Sequence, residues 1–198
     1  MATYASIKYD MDLASSATGA GALTLLATGT ASGDSTLSFT SNIDSTYDEY
    51  VFKFYDLNPA TDDKKFQFNL SADGGSNYNV TKTTTFFSAY HDESDTATNL
   101  GYRTGNDLAQ GTGVQFFTDS AGNGSDESAA GELHLFAPSS TTFVKHFYSR
   151  TSTYYTSNYA FDVFVAGYAN TTSAVNAVQF SVKSGGYFDG TIKLYGIK

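Results

Sequence analysis

The segment Ala174–Lys198 constrains this chain most. Val175, Ala177, Gln179 and Ser181 alternate with Asn176, Val178, Phe180 and Val182, and the run passes through Ser184-Gly185-Gly186 into Gly190-Thr191-Ile192-Lys193-Leu194-Tyr195-Gly196-Ile197. Period-two patterning on both sides of a glycine-bearing connection predicts a β-hairpin whose last strand closes a sheet and ties down the C-terminal residues. Residues 174–198 therefore read as scaffold, and chemistry has to be sought elsewhere.

The rest of the chain carries the same pattern. Its 198 residues suffice to bury one sizeable core, and the absence of cysteine rules out disulfides, zinc thiolates and a thiol nucleophile. Aromatics are all Phe or Tyr, spaced by Ser, Thr, Gly, Asn and Asp, a mixture that favours strands and turns over helices. Strands are predicted at Leu23–Thr30, Thr36–Thr40, Tyr50–Leu57, Phe66–Ser71, Thr81–Tyr90, Val114–Thr118, Glu132–Ala137, Phe143–Ser149, Phe161–Tyr168, Val175–Lys183 and Thr191–Ile197. So many short runs imply two sheets. Tyr50, Phe52 and Phe54 share one face of their strand, and Phe66, Phe68 and Leu70 share one face of theirs; these two strands are expected to pair across Asn58–Lys65. Phe143, Phe147, Phe161, Val163, Val165, Phe180, Ile192 and Leu194 complete the expected core, each large apolar side chain contributing roughly 1.5–3 kcal/mol on burial. No helix-period segment competes with this all-β reading.

Charge narrows the partners. A formal net charge of −9 with singly scattered basic residues argues against a nucleic-acid surface, which needs Lys and Arg to neutralise phosphates. Residues 1–10 have neither the charged start nor the apolar core of a secretory signal, and no stretch approaches the ~20 apolar residues of a spanning helix. Residues 1–22 are poor in large apolar side chains and read as an N-terminal arm preceding a β-domain over residues 23–198. Two longer polar connections, His91–Gly113 and Asp119–Gly131, have the length of functional or mobile loops.

Catalytic signals are weak. There is no Gly-x-Ser-x-Gly elbow, and His91, His134 and His146 read as surface or hairpin residues, so no catalytic residue is assigned and the chain is read as a non-enzyme. The acidic pairs Asp48-Glu49, Asp62-Asp63, Asp92-Glu93 and Asp126-Glu127 have the form of solvated charge, although paired carboxylates across a cleft would suit glycoside hydrolysis. The loop Asp119–Glu127 offers several oxygens to a hard cation, but Ala121 occupies a ligand position, so no metal or cofactor is assigned. The sequons at Asn69, Asn79, Asn123 and Asn170 matter only in a secretory pathway. The most suggestive segment is Phe147–Tyr159, where Tyr154, Tyr155 and Tyr159 alternate with small hydroxyl residues. Tyr supplies rigid amphipathic contact area while Ser and Asn adapt their hydrogen bonds, which is the vocabulary of binding loops. Its alternative is an edge strand whose tyrosines cap the core or a subunit interface. Tyr102 and Arg103, in the first long loop, present the same choice.

Several blocks resemble a family of short, mostly uncharacterised virion-associated or tail-fibre-like β-sandwich proteins of tailed bacteriophages, especially marine ones. They are Ile43–Phe52, Asn58–Asp62, Leu70–Ser76, His134–Phe147 and Gly190–Ile197, which together span most of the chain. The resemblance implies a virion-associated sandwich and carries over no catalytic residue. With the strand pattern, it leads to the expectation of a jelly-roll-like antiparallel β-sandwich on the virion exterior, assembled in the host cytoplasm, contacting other virion proteins and forming a homo-oligomer. A tail-fibre or receptor-binding component would meet a host cell-surface glycan or protein through Tyr154, Tyr155, Tyr159, Tyr102 and Arg103. A capsid decoration protein would instead clamp capsomers with residues 1–22.

Overall fold

A computed structural model describes residues 23–198, and the arm assigned to residues 1–22 lies outside the described residues. Twelve strands follow one another: β1 (Thr24–Asp34), β2 (Thr36–Phe39), β3 (Glu49–Pro59), β4 (Phe66–Ser71), β5 (Lys82–Asp92), β6 (Thr98–Tyr102), β7 (Gln115–Phe116), β8 (Ala129–Phe136), β9 (Lys145–Tyr155), β10 (Tyr159–Ala169), β11 (Ala177–Val182) and β12 (Phe188–Ile197). All regular elements among the described residues are strands, and they form an eight-stranded sheet, β1-β12-β3-β8-β9-β10-β5-β6, and a four-stranded sheet, β2-β11-β4-β7. Every neighbouring pair is antiparallel.

The topology is a jelly roll with two insertions. Without β5, β6, β9 and β10 the sheets read β1-β12-β3-β8 and β2-β11-β4-β7, and the chain passes between them at every step except β4 to β7, which are neighbours in the smaller sheet, as the eight strands of a double Greek key do. The inserted strands lengthen only the first sheet. The alternation seen in the sequence sets which side chains enter the core: Tyr50, Phe52 and Phe54 of β3, Phe66, Phe68 and Leu70 of β4, and Phe180 of β11 are buried. Phe180 meets Phe39, Phe52 and Phe54 edge-on at 5.2–6.1 Å, which locks the two sheets together.

Three expectations are corrected. The segment 174–198 is not a hairpin: β11 pairs with β2 and β4, whereas β12 pairs with β1 and β3 in the other sheet, so the glycine-bearing turn is a crossover. β3 and β4 likewise do not pair; they face each other across the core. Alternation reports that one face is buried, and a hairpin and a crossover bury one face equally well. Phe143 is 72% exposed, because the strand begins only at Lys145 and Phe143 lies in a turn whose amide is held by the Ser140 hydroxyl at 3.1 Å. Strand β6 lies within the first long polar connection, where the alternation is too polar to announce it.

The four-stranded sheet covers β9 and β5 only in part, through Phe68 of β4 against Phe147 of β9 and Gln115 of β7 against Thr84 of β5. Chain from residues 103–121 crosses part of their inner face, and the buried side chains there set the hydroxyls of Thr84, Ser88, Ser149, Thr151 and Thr153 among Phe86, Phe147, Phe161, Val163 and Val165. A loop used as a cover brings unpaired backbone groups into the interior, and these must find partners. Thr84 Oγ1 accepts from the Leu108 amide at 2.8 Å and donates to Gln115 Oε1 at 2.6 Å; the Thr151 hydroxyl donates to the Phe117 carbonyl. Phe117 itself turns inward and stacks on Phe54 at 4.6 Å.

Lys82 is fully buried under this cover. Its ammonium donates to the Val80 carbonyl at 2.8 Å and to the Asn69 side-chain oxygen, and Asn69 in turn donates to the Tyr78 and Thr112 carbonyls at 2.6 and 3.1 Å. No carboxylate pairs with it among the described residues, and desolvation lowers its pKa to about 8. Below that pH folded and unfolded chains both hold the proton and the cost of burying the charge is fully present. Between about 8 and the ordinary lysine value the folded chain releases the proton first, so stability contributed by this site rises with pH. Urea unfolding of the wild type and Lys82→Met at pH 7 and pH 10 should therefore diverge, the wild type gaining on the order of 2 kcal/mol relative to the variant at the higher pH. Parallel pH profiles would show that Lys82 titrates normally.

Candidate functional site

The cover stops short at the β9–β10 end of the large sheet, and the tyrosine-rich segment sits there. Tyr155 closes β9 and Tyr159 opens β10, joined by the turn Thr156-Ser157-Asn158. Asn158 takes φ 63°, a conformation that asparagine tolerates better than most residues. The tip is pinned to three other segments. The Asn158 amide donates to the Tyr155 carbonyl at 2.9 Å, the Glu93 amide to the Asn158 carbonyl at 3.0 Å, the Thr156 amide to the Ser120 carbonyl at 3.1 Å, and the Thr156 hydroxyl to Asp62 at 2.6 Å.

Strand alternation then separates the tyrosines. On β9 the odd-numbered side chains point inward, so Tyr155 faces the interior and Tyr154 the outer surface; on β10 Tyr159 and Phe161 face inward. Direct pairing of Phe161 with Tyr90 on β5 adds a fourth ring. Tyr155, Phe161 and Tyr90 form a near-parallel series, with Phe161 4.8 Å from Tyr155 and 5.1 Å from Tyr90, and Tyr159 stands almost perpendicular to Tyr90 and Tyr155 at 5.4 and 5.7 Å. Arg103, the residue after β6, lays its guanidinium 5.8 Å from the Tyr90 ring and 5.9 Å from the Phe161 ring, and its Nε donates to Ser88 at 2.9 Å.

These residues enclose a cleft of about 320 Å³, completed by Ser157 and Asp119. Asp119 is turned toward Lys65 at 2.9 Å. Phe161 is buried as the floor, whereas Tyr90, Tyr155, Tyr159 and Arg103 are half-buried. The hydroxyls of Tyr90, Tyr155 and Tyr159 have no hydrogen-bond partner among the described residues, unlike those of Tyr154 and Tyr102. The cleft thus presents apolar ring surface, three uncommitted hydroxyls and a planar cation on a rigid frame, a combination suited to an amphipathic ligand.

Three of the five residues singled out in the sequence, Tyr155, Tyr159 and Arg103, converge here. Tyr154 lies on the opposite face of the sheet, its hydroxyl donating to Glu93 at 3.1 Å; burial and then that bond raise its pKa. Tyr102 also faces outward, donating to Asp107 at 2.6 Å, which raises its pKa. Tyr90 and Phe161, the latter expected only as a core residue, are not among the five because they terminate separate predicted strands, and only the β5–β10 register makes them neighbours.

The histidines sit apart from the cleft. On the outer face His134 stacks on Tyr148 at 4.4 Å, with Glu49 at Nδ1 and Glu132 3.2 Å from Nε2. Burial raises the Glu132 pKa, but the proximity of His134 and of the Lys53 ammonium outweighs it and holds the carboxyl below its ordinary value. No serine or threonine hydroxyl meets a histidine, and no three His, Asp or Glu side chains converge on one point, among the described residues. No protein-family model matches the chain, and no curated protein matches it either.

The half-buried guanidinium and the buried ring should differ in what they do for stability. Phe161→Ala should cost about 3–5 kcal/mol in urea unfolding and Arg103→Ala less than about 1.5 kcal/mol. A cost for Arg103→Ala as large as that for Phe161→Ala would make Arg103 a structural clamp on the rings.

Proposed function

We propose that this chain is a non-catalytic recognition component on the exterior of a tailed-phage virion, and that the Tyr155–Tyr159–Arg103 cleft receives a saccharide unit of a host cell-surface glycan. The carrying observation is the cleft itself: four aromatic rings and a guanidinium gathered at the uncovered end of a rigid sandwich, with tyrosine hydroxyls not used internally. A sugar ring is amphipathic in the matching way. Its axial C–H groups rest on aromatic faces, while its equatorial hydroxyls accept from Arg103 and exchange hydrogen bonds with the tyrosines. The resemblance of residues 43–52, 58–62, 70–76, 134–147 and 190–197 to virion-associated sandwich proteins supports the virion setting. Copies side by side around a symmetry axis would supply avidity to a site that is individually small.

Removing only the hydroxyls tests this without disturbing the packing. The double variant Tyr155→Phe, Tyr159→Phe and the single variant Arg103→Ala should each weaken attachment of the fluorescent protein to a bacterial-glycan array at least tenfold, whereas Tyr102→Ala should bind as the wild type does. Undiminished array binding by both cleft variants would refute the assignment of the cleft. Absence of any array signal from the wild type would refute glycan recognition.

A further inference from the structure

We infer that the outer face of the eight-stranded sheet carries a second ligand site, a trough for an extended chain of neutral or amino sugars. The inference does not rest on the cleft reading, because the trough opens on the other side of the sheet. Its floor is made by Ala130, Gly131, Ser152 and Ala160, residues of adjoining strands β8, β9 and β10. A central sheet surface is ordinarily filled by longer side chains, so the three short outward ones, Ala130, Ser152 and Ala160, beside the bare backbone of Gly131 leave a depression, here about 620 Å³. Gly131 cannot be enlarged, since a Cβ there would run into the Arg150 backbone oxygen. The depression continues over Ala130, Ser152 and Ala160 into a neighbouring hollow of about 410 Å³ that ends at Tyr154.

The walls are polar and fixed. Arg150 grips both carboxylate oxygens of Asp162, at 3.2 and 2.9 Å, and its guanidinium lies 4.8 Å from the Phe164 ring. Glu132 is held between Lys53 at 3.5 Å and His134 at 3.2 Å. Cross-strand pairing of Lys53 with Glu132, and of Glu132 with Arg150, makes the signs alternate along the wall, so donors and acceptors are presented in turn. Tyr55, 39% exposed, stands at one end and Tyr154 toward the other, each offering ring surface.

This lining selects a ligand class. Hydroxyls that both donate and accept match a wall of alternating sign, and C–H faces match a floor of methyl and methylene groups. Glu132, Asp162, Asp126 and Glu93 outnumber Lys53 and Arg150, which disfavours polyanions such as uronic-acid polymers. Crossing from β3 to β10 takes about 14 Å at the interstrand spacing, room for about three sugar rings of a linear chain.

Amide chemical shifts of the intact 15N-labelled protein, titrated with chitohexaose, cellohexaose, mannohexaose, a glucosamine hexamer and, as counter-probe, a hexagalacturonate, test the assignment. At least one neutral or amino hexamer should shift the amides of Ala130, Ser152 and Ala160 saturably at millimolar ligand, and the galacturonate should not. Ser152→Ile, which fills the floor with a strand-forming residue, should weaken that binding at least tenfold while the remaining amide spectrum stays unchanged. If none of the neutral or amino hexamers moves those amides, or only amides around the Tyr155–Tyr159 cleft move, the trough assignment is overturned. Equal response to galacturonate would overturn the charge selection.

Discussion

An eight-stranded sheet facing a four-stranded one is the constraint on which everything else here depends. Strands of a sandwich bury one face, and the facing sheet ordinarily supplies the cover. Here the small sheet has half as many strands and reaches β9 and β5 only through side chains such as Phe68, Asn69 and Gln115. Chain from residues 103–121 fills the gap, which explains why the interior there mixes Thr84, Ser88, Ser149, Thr151, Asn69 and Lys82 with Phe86, Phe147, Val163 and Val165. An irregular segment brings peptide groups inside, and only side chains with hydroxyls, amides or an ammonium can answer them.

The two halves of the molecule consequently have different interiors. Under the small sheet, Phe39, Phe52, Phe54 and Phe180 interlock by edge-to-face contacts, a packing tolerant of little but content with no hydrogen bonds. Under the loop, stability also rests on a polar set, Asn69, Lys82, Thr84 and Gln115, whose members each hold at least two partners. The aromatic cleft lies where the second kind of interior runs out, so its rings are packed on one side and wet on the other.

Much of this was legible in the residues. The period-two runs identified most strands and the inward faces of β3 and β4, because burial of one face leaves its signature directly in the alternation of Tyr50, Phe52 and Phe54 or Phe66, Phe68 and Leu70. Partnership was not legible. The run at 175–183 and the run at 191–197 belong to different sheets, yet a crossover and a hairpin present the same local pattern. The same limit governs the cleft. Tyr155 and Tyr159 were visible as members of a hydroxyl-and-tyrosine segment, and Arg103 as an isolated cation in a polar loop. That Tyr90 and Phe161 complete the group depends on long-range register, and the burial of Lys82 depends on a loop folding over it, neither of which any single stretch of sequence encodes.

The additions to the jelly roll sit at one margin. β5–β6 and β9–β10 leave and re-enter the eight-strand frame between neighbouring steps of its winding, and together they carry every ring of the cleft and, with β8, the floor of the trough. An addition at the β8 edge leaves the β1-β12-β3-β8 pairing of the frame as it stands. The surfaces that the insertions build are thereby set apart from the ladder that closes the frame.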